Sequence, residues 1–203
     1  MHSFFPALGI ALANNVDNLG ARIAYSLGGI KISLPVNLWV AAITFVISLL
    51  AAFLGAELTQ ALGRSFSSWT AMALLVALGA WMIVQPRLSA RRGTDDAREE
   101  RGTVLGIFLR PETADRDDSK HIDLKEATLL GIALSINNVG GGMSAGMLGL
   151  DPFLIGALSA ALSFLALWAG NYVAELFARG KGDRRMTTIA GILLIALGLH
   201  QVF

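Results

Sequence analysis

The 203-residue chain contains no cysteine, which excludes disulfides and thiolate ligation of soft metals. Its histidines are His2, His121 and His200, which lie near the chain ends or in a polar central segment. A metal site of cysteine and histidine is therefore not expected. No apolar run offers a histidine base, a Ser/His pair or paired acids, so we expect neither enzyme activity nor a cofactor.

Charged residues are also scarce. They form 15% of the chain, whereas 54% of the residues are hydrophobic; soluble domains carry about 25% charge. Apolar runs of about 20 residues, the length that crosses a bilayer, recur along the sequence. We predict an all-α integral membrane protein whose partner is the lipid bilayer and not nucleic acid. The first run lacks a basic leader, so we expect it to be retained as a helix.

Six transmembrane helices are predicted from the apolar runs. They cover about residues 4–27, 35–62, 66–86, 124–149, 152–178 and 186–203. The chain divides into a first three-helix unit (1–86), a charged linker (87–123) and a second three-helix unit (124–203). The linker has the composition of a mobile cytosolic connection. Alternatively, it is a regulatory or metal-sensing element built on Asp115, Asp117, Asp118 and His121.

Basic residues are distributed unevenly about the predicted helices. If the N-terminus is outside, all of the 16 basic residues except Arg64 lie in or next to the inner loops. Positive charge favours the cytoplasmic side. We therefore predict that both termini are outside and the linker is cytosolic.

A short polar cluster interrupts the first apolar run of each unit. The clusters are Asn14-Asn15-Val16-Asp17-Asn18 and Asn137-Asn138, the second followed by Gly140-Gly141-Gly142. A carboxylate near the bilayer midplane costs about 2.5–3.5 kcal/mol, so it usually faces a partner, an ion or a cavity. Carboxylate and amide oxygens suit hard cations such as magnesium, calcium and manganese.

We predict an oxygen-lined metal site where the first and fourth predicted helices cross. Its candidate ligands are Asp17, Asn18, Asn137, Asn138 and Asn14. Alternatively, the asparagines only join the two helices through hydrogen bonds worth about 0.6–2 kcal/mol each. Hydroxyl pairs one turn apart, Thr44/Ser48 and Ser159/Ser163, are interpreted as packing residues that could also line the site.

Two further charges lie within predicted helices. Glu57 is a candidate gate or proton site, or a solvated residue near the outer end of its helix. Arg22 is a further candidate gate or proton site. It either pairs with an acid or a lipid phosphate at the inner side, or replaces the cation when the site is empty.

The two units share short sequence segments. Ile10-Ala11-Leu12 corresponds to Ile132-Ala133-Leu134, and Asp17-Asn18-Leu19-Gly20 to Asn137-Asn138-Val139-Gly140. Because each unit has an odd number of predicted helices, the second is expected to be inverted in the membrane. Inverted repeats around a polar site, often with broken helices, recur in transporters.

Several of these segments resemble the MntP/YtaF family of manganese efflux pumps and sporulation membrane proteins. The matching residues are Val16-Asp17-Asn18-Leu19-Gly20, Tyr25-Ser26-Leu27-Gly28-Gly29-Ile30-Lys31-Ile32 and Leu130-Gly131-Ile132-Ala133-Leu134-Ser135-Ile136-Asn137-Asn138-Val139-Gly140. The resemblance covers nearly the whole chain and is closer to the YtaF branch. It implies manganese export, with one aspartate on the first helix and one on the fourth. Asp17 matches the first, and Asn137 stands in place of the second.

We therefore expect a secondary transporter of the bacterial inner membrane that exports a divalent cation, Mn²⁺, by alternating access around this site. One alternative is an exporter of a small polar solute such as an amino acid, whose carboxylate Arg22 could bind. Another is a non-transporting membrane scaffold or assembly protein. The composition and spacing are also compatible with a homo-oligomer.

Overall fold

The computed structural model describes residues 3–27, 30–89 and 119–177, with residues 104, 107, 114, 115, 117 and 192 described singly. This part of the chain is helical. Its helices are α1 (Phe4–Asn14), α2 (Val16–Leu27), α3 (Leu34–Leu62), α4 (Arg64–Ser89), α5 (Leu124–Leu134), α6 (Ile136–Met147) and α7 (Pro152–Phe177). The sixth predicted span, 186–203, lies outside the described residues except for Ile192.

The first and fourth predicted spans are each divided into two helices. Asn15 (φ −111°, ψ 9°) separates α1 from α2, and Ser135 (φ −91°, ψ 0°) separates α5 from α6. Both pairs have the same lengths, 11 residues before the break and 12 after it. Asparagine and serine suit such a position because their short polar side chains compete with the backbone for hydrogen bonds. The Asn15 Nδ2 atom donates to the Ala11 carbonyl at 2.7 Å.

The helix ends follow local sequence signals. Pro35 lies in the first turn of α3, and Gly63 ends this helix with a positive φ of 84°. Pro152 begins α7. A capping box begins α5, because the Asp123 side chain accepts from the Glu126 amide while the Glu126 side chain accepts from the Asp123 amide.

The outward faces of the longest helices are apolar. Among the described helices, α3 and the 152–169 part of α7 are long and apolar enough to cross a membrane. Their exposed large side chains include Leu38, Trp39, Val46, Leu50 and Leu54 on α3, and Phe153, Leu165 and Trp168 on α7. Such a surface suits a lipid environment.

The interior contains two apolar clusters separated by polar residues. The linker-side cluster includes Ala21, Val40, Leu134 and Leu167, and the far cluster includes Ala13, Ala52, Ala145 and Ile155. We call the buried polar residues between them the polar layer. Its members are Asn14, Asn15, Asn18, Thr44, Ser48, Ser135, Asn137, Asn138, Ser159 and Ser163.

This layering gives the directions of all the described helices except α4. The α1–α2 pair and α7 pass from the far cluster, through the polar layer, to the linker-side cluster. The α5–α6 pair and α3 run the opposite way.

Some of the described linker residues pack against the helices. Ile107 and Ala114 are fully buried in the linker-side cluster, together with Tyr25. A short parallel bridge joins Lys31 to His121. Burying an isoleucine side chain contributes about 1.5–3 kcal/mol, which favours the contact of Ile107 with the helices.

Candidate functional site

A chain of hydrogen bonds connects the two helix breaks. Asn18 Nδ2 donates to Asn15 Oδ1 at 3.1 Å and to Ser163 Oγ at 2.7 Å. Thr44 Oγ1 lies 3.4 Å from Ser163 Oγ and 3.1 Å from Ser135 Oγ. We call Asn15, Asn18, Ser163, Thr44 and Ser135 the inter-break chain. Its members are all neutral, and they come from both halves of the sequence.

The first and fourth predicted spans contact each other directly at Asn14 and Gly141. A Cβ atom added to Gly141 would lie 2.6 Å from both Cγ and Oδ1 of Asn14, and closer still to Nδ2. The Asn14 amide therefore occupies the space that any larger residue at position 141 would need. Glycine at 141 lets the side chain of α1 lie against the backbone of α6.

Some polar atoms of this layer have no hydrogen-bond partner within the described structure. They include Asn14 Oδ1 and both amide atoms of Asn138. Asn14 is 1% exposed and Asn138 is fully buried. A buried polar group without a partner costs about 1–3 kcal/mol, so each such group in a native protein calls for an explanation.

Asp17 and Asn137 occupy equivalent positions relative to the two breaks. Asp17 is the second residue after Asn15 and lies in α2, whereas Asn137 is the second residue after Ser135 and lies in α6. Asn137 is buried in the polar layer. The side chain of Asp17 lies outside the described part of the structure. Of the predicted ligands, the structure therefore places Asn14, Asn18, Asn137 and Asn138 in one layer.

The two other charged candidates have different environments. Arg22 is only 4% exposed, and its Nε and Nη1 atoms have no hydrogen-bond partner in the described structure. Glu57 is exposed on α3. It lies nine residues beyond Ser48, about 13 Å along the helix. The structure thus does not bring Glu57 into the polar layer.

The hydroxyls of the inter-break chain received no definite site role from the sequence. The one-turn spacing of Ser159 and Ser163, and of Thr44 and Ser48, allowed packing or lining. Ser135 belongs to a segment that resembles the family, but the sequence indicates no site role for it. Its signal is positional, because Ser135 precedes Asn137 by the same two residues that separate Asn15 from Asp17.

The linker acids form a second polar group at the linker-side end. Carboxylate oxygens of Asp115, Asp117 and Glu126 lie within 4.8 Å of one another. Asp118 lies outside the described residues, and the His121 Nδ1 atom lies 3.1 Å from the Ser119 carbonyl. Of the predicted set, the structure thus brings Asp115 and Asp117 together, and it adds the capping residue Glu126 to them.

These acids already accept hydrogen bonds from the loop. Asp115 accepts from the backbone amides of Ser119 and Lys120 at 3.1 and 3.2 Å, and Asp117 accepts from that of Ser119 at 3.0 Å. Hydrogen bonds from Ser119, those of its side chain first, lower the pKa of Asp117. Lys120 has a positive φ of 64° at this turn. The acids thus stabilise a tight turn and the beginning of α5.

The comparisons with known proteins agree with the resemblance seen in the sequence. A family model described as "Putative manganese efflux pump" matches residues 29–202. The "Probable sporulation protein YtaF" of Bacillus subtilis (strain 168) is 29% identical over 95% of this chain and 96% of its own length. The "Putative manganese efflux pump MntP" of Clostridium perfringens (strain 13 / Type A) is 23% identical over 96% of this chain and 83% of its own length. No solved structure matches. The chain is therefore an integral membrane protein that belongs to the Mntp family of putative manganese efflux pumps.

Proposed function

We propose that this chain is a secondary transporter that exports a hard divalent cation, Mn²⁺, through the polar layer. The observation that carries the proposal is the pair of helix breaks at Asn15 and Ser135, joined by the inter-break chain inside a buried layer. Transporters commonly bind their substrates at such discontinuous helices near the middle of the membrane. Family membership supports manganese as the cation.

The proposed ligands are the oxygen atoms of Asp17, Asn14, Asn18, Asn137 and Asn138. The unpaired Oδ1 atoms of Asn14 and Asn138 support this set, because a cation needs acceptor atoms that no protein donor occupies. Oxygen ligands suit Mn²⁺. With one carboxylate and no second acid at Asn137, we expect weaker binding than a site with two aspartates would give.

We further propose that residues 1–86 and 124–203 are inverted repeats that rock around this site. The equal lengths of the broken pairs support the repeat, and the opposite directions of α1–α2 and α5–α6 support the inversion. In this proposal both termini are outside and the linker is cytosolic. Asp17 would exchange its cation for a proton, and Glu57 is a further candidate proton or gate residue at the outer end.

The test is Mn²⁺ flux into proteoliposomes, together with Mn²⁺ binding to the detergent-purified protein. Asp17→Asn should abolish flux and weaken binding at least about tenfold, equivalent to about 1.4 kcal/mol. Asn137→Asp should tighten binding or change the selectivity among divalent cations, because it restores a second carboxylate.

Asp151→Asn is the matched control. It makes the same chemical change at an exposed acid before α7, where an amide oxygen can still accept from the Leu154 N–H. This variant should transport as the unchanged protein does. Unchanged Mn²⁺ affinity in Asp17→Asn would contradict the proposed site. Absence of flux for every cation in the unchanged protein would favour the membrane scaffold instead.

A further inference from the structure

Arg22 is a buried cation that the proposed transport cycle does not use. It lies on α2, four residues beyond Asn18, so the two residues share one helix face. On this face, the side chain of Asn18 donates a hydrogen bond to the Ser163 hydroxyl of α7. Because helical side chains lean toward the N-terminus, the guanidinium is expected to reach back toward the polar layer. Arg22 therefore marks the linker-side margin of that layer.

No described acid accepts from this guanidinium. Its Nε and Nη1 atoms have no hydrogen-bond partner in the described structure, although only 4% of the residue is exposed to solvent. The buried acids of the described structure are Asp115 and Glu126, which accept from the amides of the linker turn and of Asp123. Asp17 precedes Arg22 by five residues, which places the two positions about 140° apart around the helix.

The chemistry of these free donors identifies the kind of ligand they need. Arginine stays protonated in proteins and has only donors, so a transported cation cannot satisfy it. An anion that accepts hydrogen bonds can do so. The planar guanidinium presents its N–H groups in a fork that matches the two oxygens of a carboxylate.

We propose that Arg22 binds a small monovalent carboxylate at the linker-side margin of the polar layer, and that this anion loads together with the cation. This inference rests on the proposed cation export and adds a second ligand to the same site. One carboxylate lowers the formal charge of the loaded site by one. Cation and carboxylate should therefore strengthen each other's binding by the same factor.

The test is thermal unfolding of the detergent-purified protein titrated with sodium acetate, at an ionic strength held constant by a bulky sulfonate salt. A ligand that binds only the folded state raises the unfolding temperature in a saturable way. Acetate should do so for the unchanged protein. The half-saturating concentration should rise at least about tenfold in Arg22→Gln, and by a smaller factor in Arg22→Lys, which keeps the charge but not the fork.

Lys31→Gln is the matched control, because it removes an exposed cation at the same end of the molecule. Lys31 forms its bridge through backbone atoms, so this variant should bind acetate as the unchanged protein does. The proposal is overturned if acetate gives no saturable effect in the unchanged protein, a result that does not depend on any variant folding. It is also overturned if Arg22→Gln responds equally, or if chloride matches acetate.

Mn²⁺ titrations, with and without acetate, separate this proposal from the one on which it rests. Acetate should lower the half-saturating Mn²⁺ concentration at least about threefold in the unchanged protein and not in Arg22→Gln. Mn²⁺ binding without any acetate effect would leave cation export standing and overturn the carboxylate subsite. If acetate and the amino acid glycine stabilise the protein through Arg22 but Mn²⁺ does not, the carboxylate subsite is upheld, whereas cation export and co-loading are overturned.

Discussion

The contact between Asn14 and Gly141 allows a sharp test of how the two broken spans meet. Gly141→Ala would place a methyl group on the Asn14 amide, within 2.6 Å of Cγ and Oδ1. Real Cβ atoms do not approach other atoms this closely, so Asn14 must move or the helices must separate. Asn14→Ala removes the obstructing amide. The two substitutions should therefore be strongly coupled.

The expected magnitudes follow from two opposing terms. Alanine stabilises a helix interior by about 0.5–1 kcal/mol relative to glycine. Forcing an extra methyl group into a packed interior costs about 1–3 kcal/mol. Gly141→Ala alone should therefore destabilise the protein by up to about 2.5 kcal/mol. In the Asn14→Ala background only the helix term remains, so the same change should stabilise by about 0.5–1 kcal/mol.

The assay is reversible denaturant unfolding in detergent, followed by circular dichroism, for the four proteins of this double-mutant cycle. We expect a coupling energy of about 1–3 kcal/mol, as is usual for residues in direct contact. Gly156→Ala on α7 serves as the control. Its added Cβ would meet side-chain atoms of Phe45 and Leu49 at 3.2–3.3 Å and would not meet Asn14. Additivity within about 0.5 kcal/mol for the Asn14/Gly141 pair would refute the described contact.

Three further predictions concern the polar layer and the linker turn. Asn138→Leu removes a buried side-chain amide that has no partner, so the free energy of unfolding should stay unchanged or rise by up to about 2 kcal/mol. Mn²⁺ flux should be lost in the same variant, and a destabilised variant that still transports would contradict this prediction. Ser163→Ala removes the hydroxyl oxygen that accepts a 2.7 Å hydrogen bond from Asn18, so it should lower the free energy of unfolding in denaturant by about 1–3 kcal/mol. An unchanged unfolding midpoint would argue against this hydrogen bond. The lowered pKa of Asp117 stabilises the fold at pH values above the pKa of the unfolded chain, and this contribution is lost as the pH falls through the folded-state value. The pH dependence of stability in acid should be flatter in Ser119→Ala, which keeps the backbone donor of Ser119 and removes its hydroxyl; identical curves would show that the hydroxyl is not a cause.

The sequence predicted the helical class and most helix bounds, because those depend on local signals. Apolar length and Pro35 located the beginning of α3 at position 35, one residue from the observed Leu34. Pro152 located the beginning of α7. The family resemblance was confirmed by the match to residues 29–202. The metal-binding roles of Asp17 and Asn137 remain predictions.

The helix breaks and the inter-break chain could not be predicted from local sequence signals. Asn15 and Ser135 lie inside runs whose average hydropathy favours one continuous helix, and a single residue changes that average little. The partners of Thr44 are 91 and 119 residues away along the chain. Such contacts depend on how the helices pack, so no local pattern identifies them. Docking of Ile107 on the helices was missed because the charges around it dominate the composition of the linker.

The neutrality of the inter-break chain bears on the energy of any movement between the two halves. Three of its links join residues 1–86 to residues 124–203: Asn18 to Ser163, Thr44 to Ser163, and Thr44 to Ser135. Each neutral bond contributes about 0.5–1.5 kcal/mol, whereas breaking a buried ion pair costs about 3–5 kcal/mol. Hydroxyls can also exchange donor and acceptor roles, so broken links can re-form with new partners. These three links are thus weak enough to open and re-form repeatedly at ordinary temperature, and opening them leaves no charge of the inter-break chain without a partner.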